Sequence, residues 1–210
     1  MIRILQKTVS LGFTFSVGIS SLMWNNAAYA SEMQFDKQSI VLPISLETVF
    51  YLTGTPITHS SDESRAVIDF QIPDELGLIT KGAPLYAPFD GYATYSESEN
   101  ASGMIEITSN EKQWKIILAH VLNDTKTAKK LNKSYPKHVV KGELISFQGD
   151  SGYASSYSRF PVHVHYELFM RQGDEYTGDN GIIDICSQLS LTQYCDYVDK
   201  SGKVLLIYDR

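Results

Sequence analysis

Pro161-Val162-His163-Val164-His165-Tyr166-Glu167-Leu168-Phe169-Met170 alternates apolar and polar side chains with a period of two. In a β-strand that period sends Val164, Tyr166 and Leu168 to one face and His163, His165 and Glu167 to the other. Two imidazoles then project from one rigid strand into one space, and imidazole is both the commonest neutral metal ligand and a base near neutral pH. A single His-x-His on the polar face of a half-exposed strand is more often solvated than functional. The weight therefore falls on the other histidines, His59, His120 and His138.

The chain has 210 residues, a length suited to one domain with appendages. Residues 1–30 read as a secretory signal peptide: Arg3 and Lys7 open it, Val9 to Met23 is largely apolar, and Ala28-Tyr29-Ala30 is an A-x-A cleavage site. The serines and Thr14 that interrupt the apolar run leave it short of the roughly 20 clean apolar residues of a membrane span, and no later segment could cross a bilayer. After the loss of Arg3 and Lys7 the chain carries 16 basic and 24 acidic side chains, a formal charge of −8. Phosphate affinity rests on Lys and Arg, so this balance argues against a nucleic-acid binder. Cys186 and Cys195 are the only cysteines. In an exported chain their proximity suggests a disulfide staple; the alternative, a catalytic thiol paired with a histidine, needs a lone activated cysteine.

From the leader onward, residues 31–57 form a lead-in, with an edge strand expected over the apolar run from Ile40 to Leu52 and turn chemistry at Thr53-Gly54-Thr55-Pro56. Ala66-Val67-Ile68-Asp69-Phe70 is an apolar strand broken by one carboxylate. Buried, Asp69 requires a partner or a cation; at a strand end it could simply face water. From Lys81 strand and turn signals crowd together. Asp90-Gly91 suggests one hairpin, and Met104 to Thr108 with Trp114 to Leu122 suggests another across Ser109 to Gln113. The second carries His120, which in apolar company is by itself as well read as a core histidine. Asn123 to Lys137 reads as a solvated connection with a possible helical turn at Thr127 to Leu131, and His138 as a surface residue. A polar loop with the cysteine pair and a last strand, Lys203 to Tyr208, complete the chain.

Five segments in order resemble the lysostaphin-type, or LytM, zinc endopeptidases. Gly82-Ala83-Pro84-Leu85-Tyr86-Ala87-Pro88-Phe89-Asp90-Gly91 resembles that family's GTPVYAPADG, and Leu118-Ala119-His120-Val121 its YAHL. Val140-Lys141-Gly142-Glu143 resembles VKKGQ, Gly149-Asp150-Ser151-Gly152 resembles GxTG, and His163-Val164-His165-Tyr166-Glu167 resembles HLHFE. The resemblance implies a mostly β catalytic domain of residues 58–172, antiparallel and β-sandwich-like, of the duplicated hybrid motif type with long loops. Residues 173–210 would then be a C-terminal extension.

The resemblance also implies one Zn2+ per chain, with Asp69 and His165 as ligands and His120 and His163 as catalytic histidines. The first ligand departs from the family pattern. Most members carry H-x-x-x-D, but the residue four before Asp69 is Arg65, which cannot ligate a cation. A LasA-like subset has a longer gap, so His59 takes the role here. Two histidines and an aspartate are what a catalytic zinc requires if one position stays open. With no H-E-x-x-H anywhere, the usual helical zinc protease is excluded. Glu167 either orients a ligand or is an ordinary surface glutamate. The family's assisting tyrosine has candidates in Tyr51, Tyr176 and Tyr194.

The implied reaction is hydrolysis of a peptide bond in the stem or cross-bridge of peptidoglycan by an exported, periplasmic or secreted, enzyme. D-alanyl to meso-diaminopimelate is the implied bond in a Gram-negative host. The alternative from the same family is a catalytically silent regulator that activates a cell-wall amidase. A metal-free glycan-binding β domain is the third reading, and it leaves Asp69 unexplained.

Overall fold

The computed structural model describes residues 40–59, 64–96, 103–122, 130–132, 134–151, 153–155, 158–159 and 161–208. The expected leader, residues 1–30, lies outside them, as does most of the expected helical turn at Thr127 to Leu131. Along the chain come β1 (Val49–Gly54), β2 (Val67–Gln71), β3 (Pro84–Tyr86), β4 (Gly91–Ser96), β5 (Met104–Ser109), β6 (Trp114–Ala119) and β7 (Val121–Leu122). There follow β8 (Lys137–Val139), β9 (Leu144–Gln148), β10 (Tyr153–Ser155), β11 (Ser158–Arg159), β12 (Val164–Gln172) and β13 (Glu175–Thr177). Two helices, α1 (Ile185–Gln188) and α2 (Thr192–Ser201), precede β14 (Val204–Ile207).

The main sheet runs β14-β1-β2-β12-β6-β5-β4-β8, with β13 on the end of β12. Its pairings are antiparallel, as the sequence led us to expect. The His-x-His strand β12 lies at its centre, between β2 and β6. Its apolar face, Val164, Tyr166 and Leu168, is fully buried beside Ile68 and Phe70 of β2 and Ile116 and Leu118 of β6. Each such side chain contributes about 1.5–3 kcal/mol by leaving water. A small sheet, β3-β9-β7, adds Leu85, Ile145 and Val121 to the same core, which gives the sandwich-like layering.

Three local expectations differ. β1 is not an edge strand, because β14 returns to pair with its outer side, Phe50 opposite Leu206. The hairpin at Asp90-Gly91 does not form: β3 pairs with β9, and β4 with β5 and β8. Here Asp90 and Gly91 mark the crossing between sheets. Asp90 Oδ1 accepts from the Lys141 N–H at 2.7 Å, and a Cβ on Gly91 would meet the Thr108 carbonyl oxygen at 2.2 Å. Residues 173–210, expected as a loop and a last strand, hold two helices before β14. Asp184 caps α1 by accepting from Ser187 N–H, and the disulfide Cys186–Cys195 joins the two helices. Among the described residues no helix is long and apolar enough to cross a membrane.

Candidate metal centre and flanking histidines

The register of β2 and β12 pairs His165 with Asp69 across the sheet, so both side chains leave the same face. His165 Nδ1 lies 3.2 Å from Asp69 Oδ1. His59 arrives from outside the sheet, on the turn that follows β1. That turn is closed by His59 N–H donating to the Thr55 carbonyl at 2.8 Å and by Thr55 N–H donating to Thr58 Oγ1 at 2.9 Å. Its buried Thr55 hydroxyl donates to Asp199 on α2. His59 Nε2 is thereby 3.1 Å from His165 Nδ1 and 3.9 Å from Asp69 Oδ2. Gly54 leaves room for this: a Cβ there would sit 2.9 Å from Asp69 Oδ2.

One ligand atom from each of His59, Asp69 and His165 lies within 4.8 Å of the others. A tetrahedral ion with bonds of about 2.0–2.2 Å separates its ligand atoms by roughly 3.3–3.6 Å, close to the 3.1 Å between His59 Nε2 and His165 Nδ1 and the 3.2 Å between His165 Nδ1 and Asp69 Oδ1. Asp69 Oδ1, which faces the cluster, is buried and makes no hydrogen bond of good geometry, its contact with His165 Nδ1 being ionic. Two nitrogens and a carboxylate oxygen, partly starved of donors, form a donor set that fits a divalent cation of the zinc type.

His120 and His163 stand beside this trio, their ring centroids 4.5 Å apart. His120 occupies the single residue between β6 and β7 at φ 63°, a left-handed conformation uncommon outside glycine. Gly149 permits the turn, since a Cβ there would meet the His120 carbonyl oxygen at 2.6 Å. His120 Nδ1–H donates to the Ser151 carbonyl at 2.7 Å, and His163 Nδ1–H to the Pro161 carbonyl at 2.6 Å. The His163 N–H donates to the Gly149 carbonyl at 3.1 Å. The Gly149-Asp150-Ser151 segment thus ties both histidines in place. With Nδ1 carrying the proton, each ring keeps its lone pair on Nε2.

Burial opposes charge on Asp69, but the His165 contact and the surrounding imidazoles outweigh it and hold the carboxyl below its ordinary range. For His165 burial again opposes the proton, yet the carboxylates of Asp69 and Glu167 raise its pKa. Burial lowers His59 and pushes His120 down to about 4, so His120 is neutral at physiological pH. Glu167 is not a surface glutamate. It is only 3% exposed, 3.9 Å from His165 Nε2, and forked by the Arg65 guanidinium. Burial works against its charge, but His165 and Arg65 lower its pKa.

His138 is exposed on β8 with its ring against Tyr92. Of the tyrosines, Tyr176 donates its hydroxyl to the Lys112 carbonyl and Tyr194 packs against the core. Tyr51 shares the Asp69 face through its pairing with Gln71, with Lys203 Nζ over its ring. Sequence reading missed the Arg65–Glu167 pair and the Asp199 contact, because both join residues about a hundred or more positions apart and leave no local pattern.

Solved structures similar to this chain are LytM and lysostaphin peptidases. A protein assigned as glycyl-glycine endopeptidase LytM from Ruminococcus gnavus shares 27% identity at a TM-score of 0.41, over 53% of this chain and 42% of its own. The catalytic domain of lysostaphin from Staphylococcus simulans shares 16% identity at 0.40, over 65% and 90%. A zinc-containing peptidase from Vibrio cholerae shares 23% at 0.36, over 50% and 26%. The chain therefore spans less than half the length of the Ruminococcus and Vibrio proteins. No family model and no curated protein matches the sequence.

Proposed function

We propose that this chain is an exported zinc metalloendopeptidase that hydrolyses peptide bonds in the stem or cross-bridge of peptidoglycan. The observation that carries the reading is one cluster, His59, Asp69 and His165, with two further histidines beside it whose Nδ1 atoms are tied to carbonyls. Zinc held by such a trio would acidify a water to a pKa of about 7 and polarise the scissile carbonyl.

The chain's own residues supply the rest. His120 and His163 offer Nε2 lone pairs at one side of the trio, fixed in tautomer by Ser151 and Pro161. One accepts a proton from the attacking water at its Nε2 and returns it to the leaving amine; the other, having taken a proton on Nε2 from bulk water before substrate binds, donates it as a hydrogen bond to the developing oxyanion. The family resemblance of the five motifs supplies the substrate class, and the signal-peptide reading with the Cys186–Cys195 disulfide supports export to a periplasmic or extracellular compartment.

A silent amidase activator has no need of five such side chains at one site. The test is soluble-product release from purified sacculi by the protein with and without a chelator. Chelator-sensitive release of cleaved peptides, identified by mass spectrometry, is the expected result. Release that survives full metal removal, or none from zinc-loaded protein on any sacculus type, would overturn it.

A further inference from the structure

Arg65 occupies the position, four residues before Asp69, where most members of the resembling family carry a ligand. Arg65 cannot ligate a cation, and its guanidinium engages Glu167 instead. It points along the same face and meets the next polar side chain of β12. The register pairs Glu167 with Val67, which leaves Arg65 on the diagonal to Glu167, within reach of a long side chain. Arg65 Nε donates to Glu167 Oε1 at 2.7 Å, and its Nη2 donates to Oε2. Its backbone is pinned by a bridge to Asp179, and the adjoining Ala66 N–H donates to the Gly178 carbonyl at 2.6 Å.

We propose that Arg65 is a positioning residue for the metal centre: by forking both oxygens of the buried Glu167, it fixes the carboxylate behind His165 Nε2 and so keeps His165 Nδ1 directed at Asp69 and His59. This rests on the preceding reading of the trio as a zinc centre. A metal-bound histidine depends on the partner of its other nitrogen for ring orientation and tautomer. Glu167 is the carboxylate that faces this nitrogen, its Oε2 3.9 Å from Nε2 in an ionic contact rather than a hydrogen bond, while Asp69 lies at 3.2 Å on the Nδ1 side. A carboxylate only 3% exposed is costly to bury unless its oxygens are paired, and the Arg65 fork pairs both. The planar guanidinium supplies two parallel bonds, which a lysine ammonium cannot do.

A purely structural Arg65 would neutralise Glu167 for folding and leave the metal affinity of the folded protein unchanged. Zinc affinity by chelator competition, and the visible spectrum of the cobalt-substituted protein, separate the two. Arg65→Gln and Glu167→Gln are each expected to weaken zinc binding by about 10- to 100-fold and to shift the cobalt bands. The double variant should bind no more weakly than Glu167→Gln alone, because Arg65 acts through Glu167. Arg65→Lys should recover part of the loss.

A folded Arg65→Gln protein that binds zinc within about twofold of the parent, with an unchanged cobalt spectrum, would overturn the proposal. Should Arg65→Gln fail to fold, Arg65→Lys decides: severalfold weaker binding supports it, and binding within about twofold of the parent overturns it. A parent protein that takes up no zinc would overturn the zinc reading itself, and this proposal with it. A zinc-binding parent with unaffected variants would overturn this proposal alone.

Discussion

His165 stands directly opposite Asp69 in the antiparallel pairing of β2 with β12, its Nδ1 3.2 Å from Asp69 Oδ1. Two central strands of one sheet hold this pair, so its geometry is set by the hydrogen-bond ladder and by the core beneath it. His59 joins from a turn, and the precision of the third donor depends on what holds that turn.

His163→Ala and His120→Ala should each retain metal and lose turnover by about 10²- to 10⁴-fold, the usual contribution of a positioned acid or base. Metal analysis alongside release from sacculi checks this. A metal-replete His163→Ala protein with full activity would end the proposed chemistry.

Two glycines should separate binding from catalysis. Gly54→Ala places a methyl 2.9 Å from Asp69 Oδ2 and should weaken zinc binding, whereas Gly149→Ala places one 2.6 Å from the His120 carbonyl and should lower activity with the metal retained. Each overpacking should cost about 1–3 kcal/mol of stability in urea unfolding. Equal effects of both variants on metal affinity would show that the two regions are not independent.

Asp199→Ala removes the acceptor of the Thr55 hydroxyl, which braces the turn carrying His59. We expect zinc binding about tenfold weaker, with far-ultraviolet circular dichroism unchanged. Unaltered affinity would mean that the turn's own bonds among Thr55, Thr58 and His59 suffice.

Cys186 and Cys195 close a loop of nine residues' separation and join α1 to α2. Thiol titration of the denatured, unreduced protein should find no reactive thiol. Cys186→Ala with Cys195→Ala should cost about 2–3 kcal/mol by chain entropy. Two titrated thiols in the unreduced protein would contradict the staple.

The His-x-His strand, the β5–β6 hairpin and the last strand were legible from alternation and turn residues, which are local signals. Asp69 was conspicuous because an acid interrupts an apolar run, and its pairing with His165 followed only once the register was known. The helices left a signal that could have been read: buried Leu191, Cys195 and Val198 fall at i, i+4 and i+7 along α2, and Asp184 stands as the cap of α1. The hairpin expected at Asp90-Gly91 failed because the chain changes sheets there, and non-local partners decided the pairing. The Arg65–Glu167 fork had no sequence signal, since it depends on a register between strands about a hundred residues apart.

The zinc content of the protein purified without chelator, measured beside Asp69→Ala, tests the central claim most directly. One zinc per chain in the parent and none in the folded variant is the expected result. A folded parent that holds no zinc even after incubation with the metal, or an Asp69→Ala protein that binds it as tightly as the parent, would contradict the account.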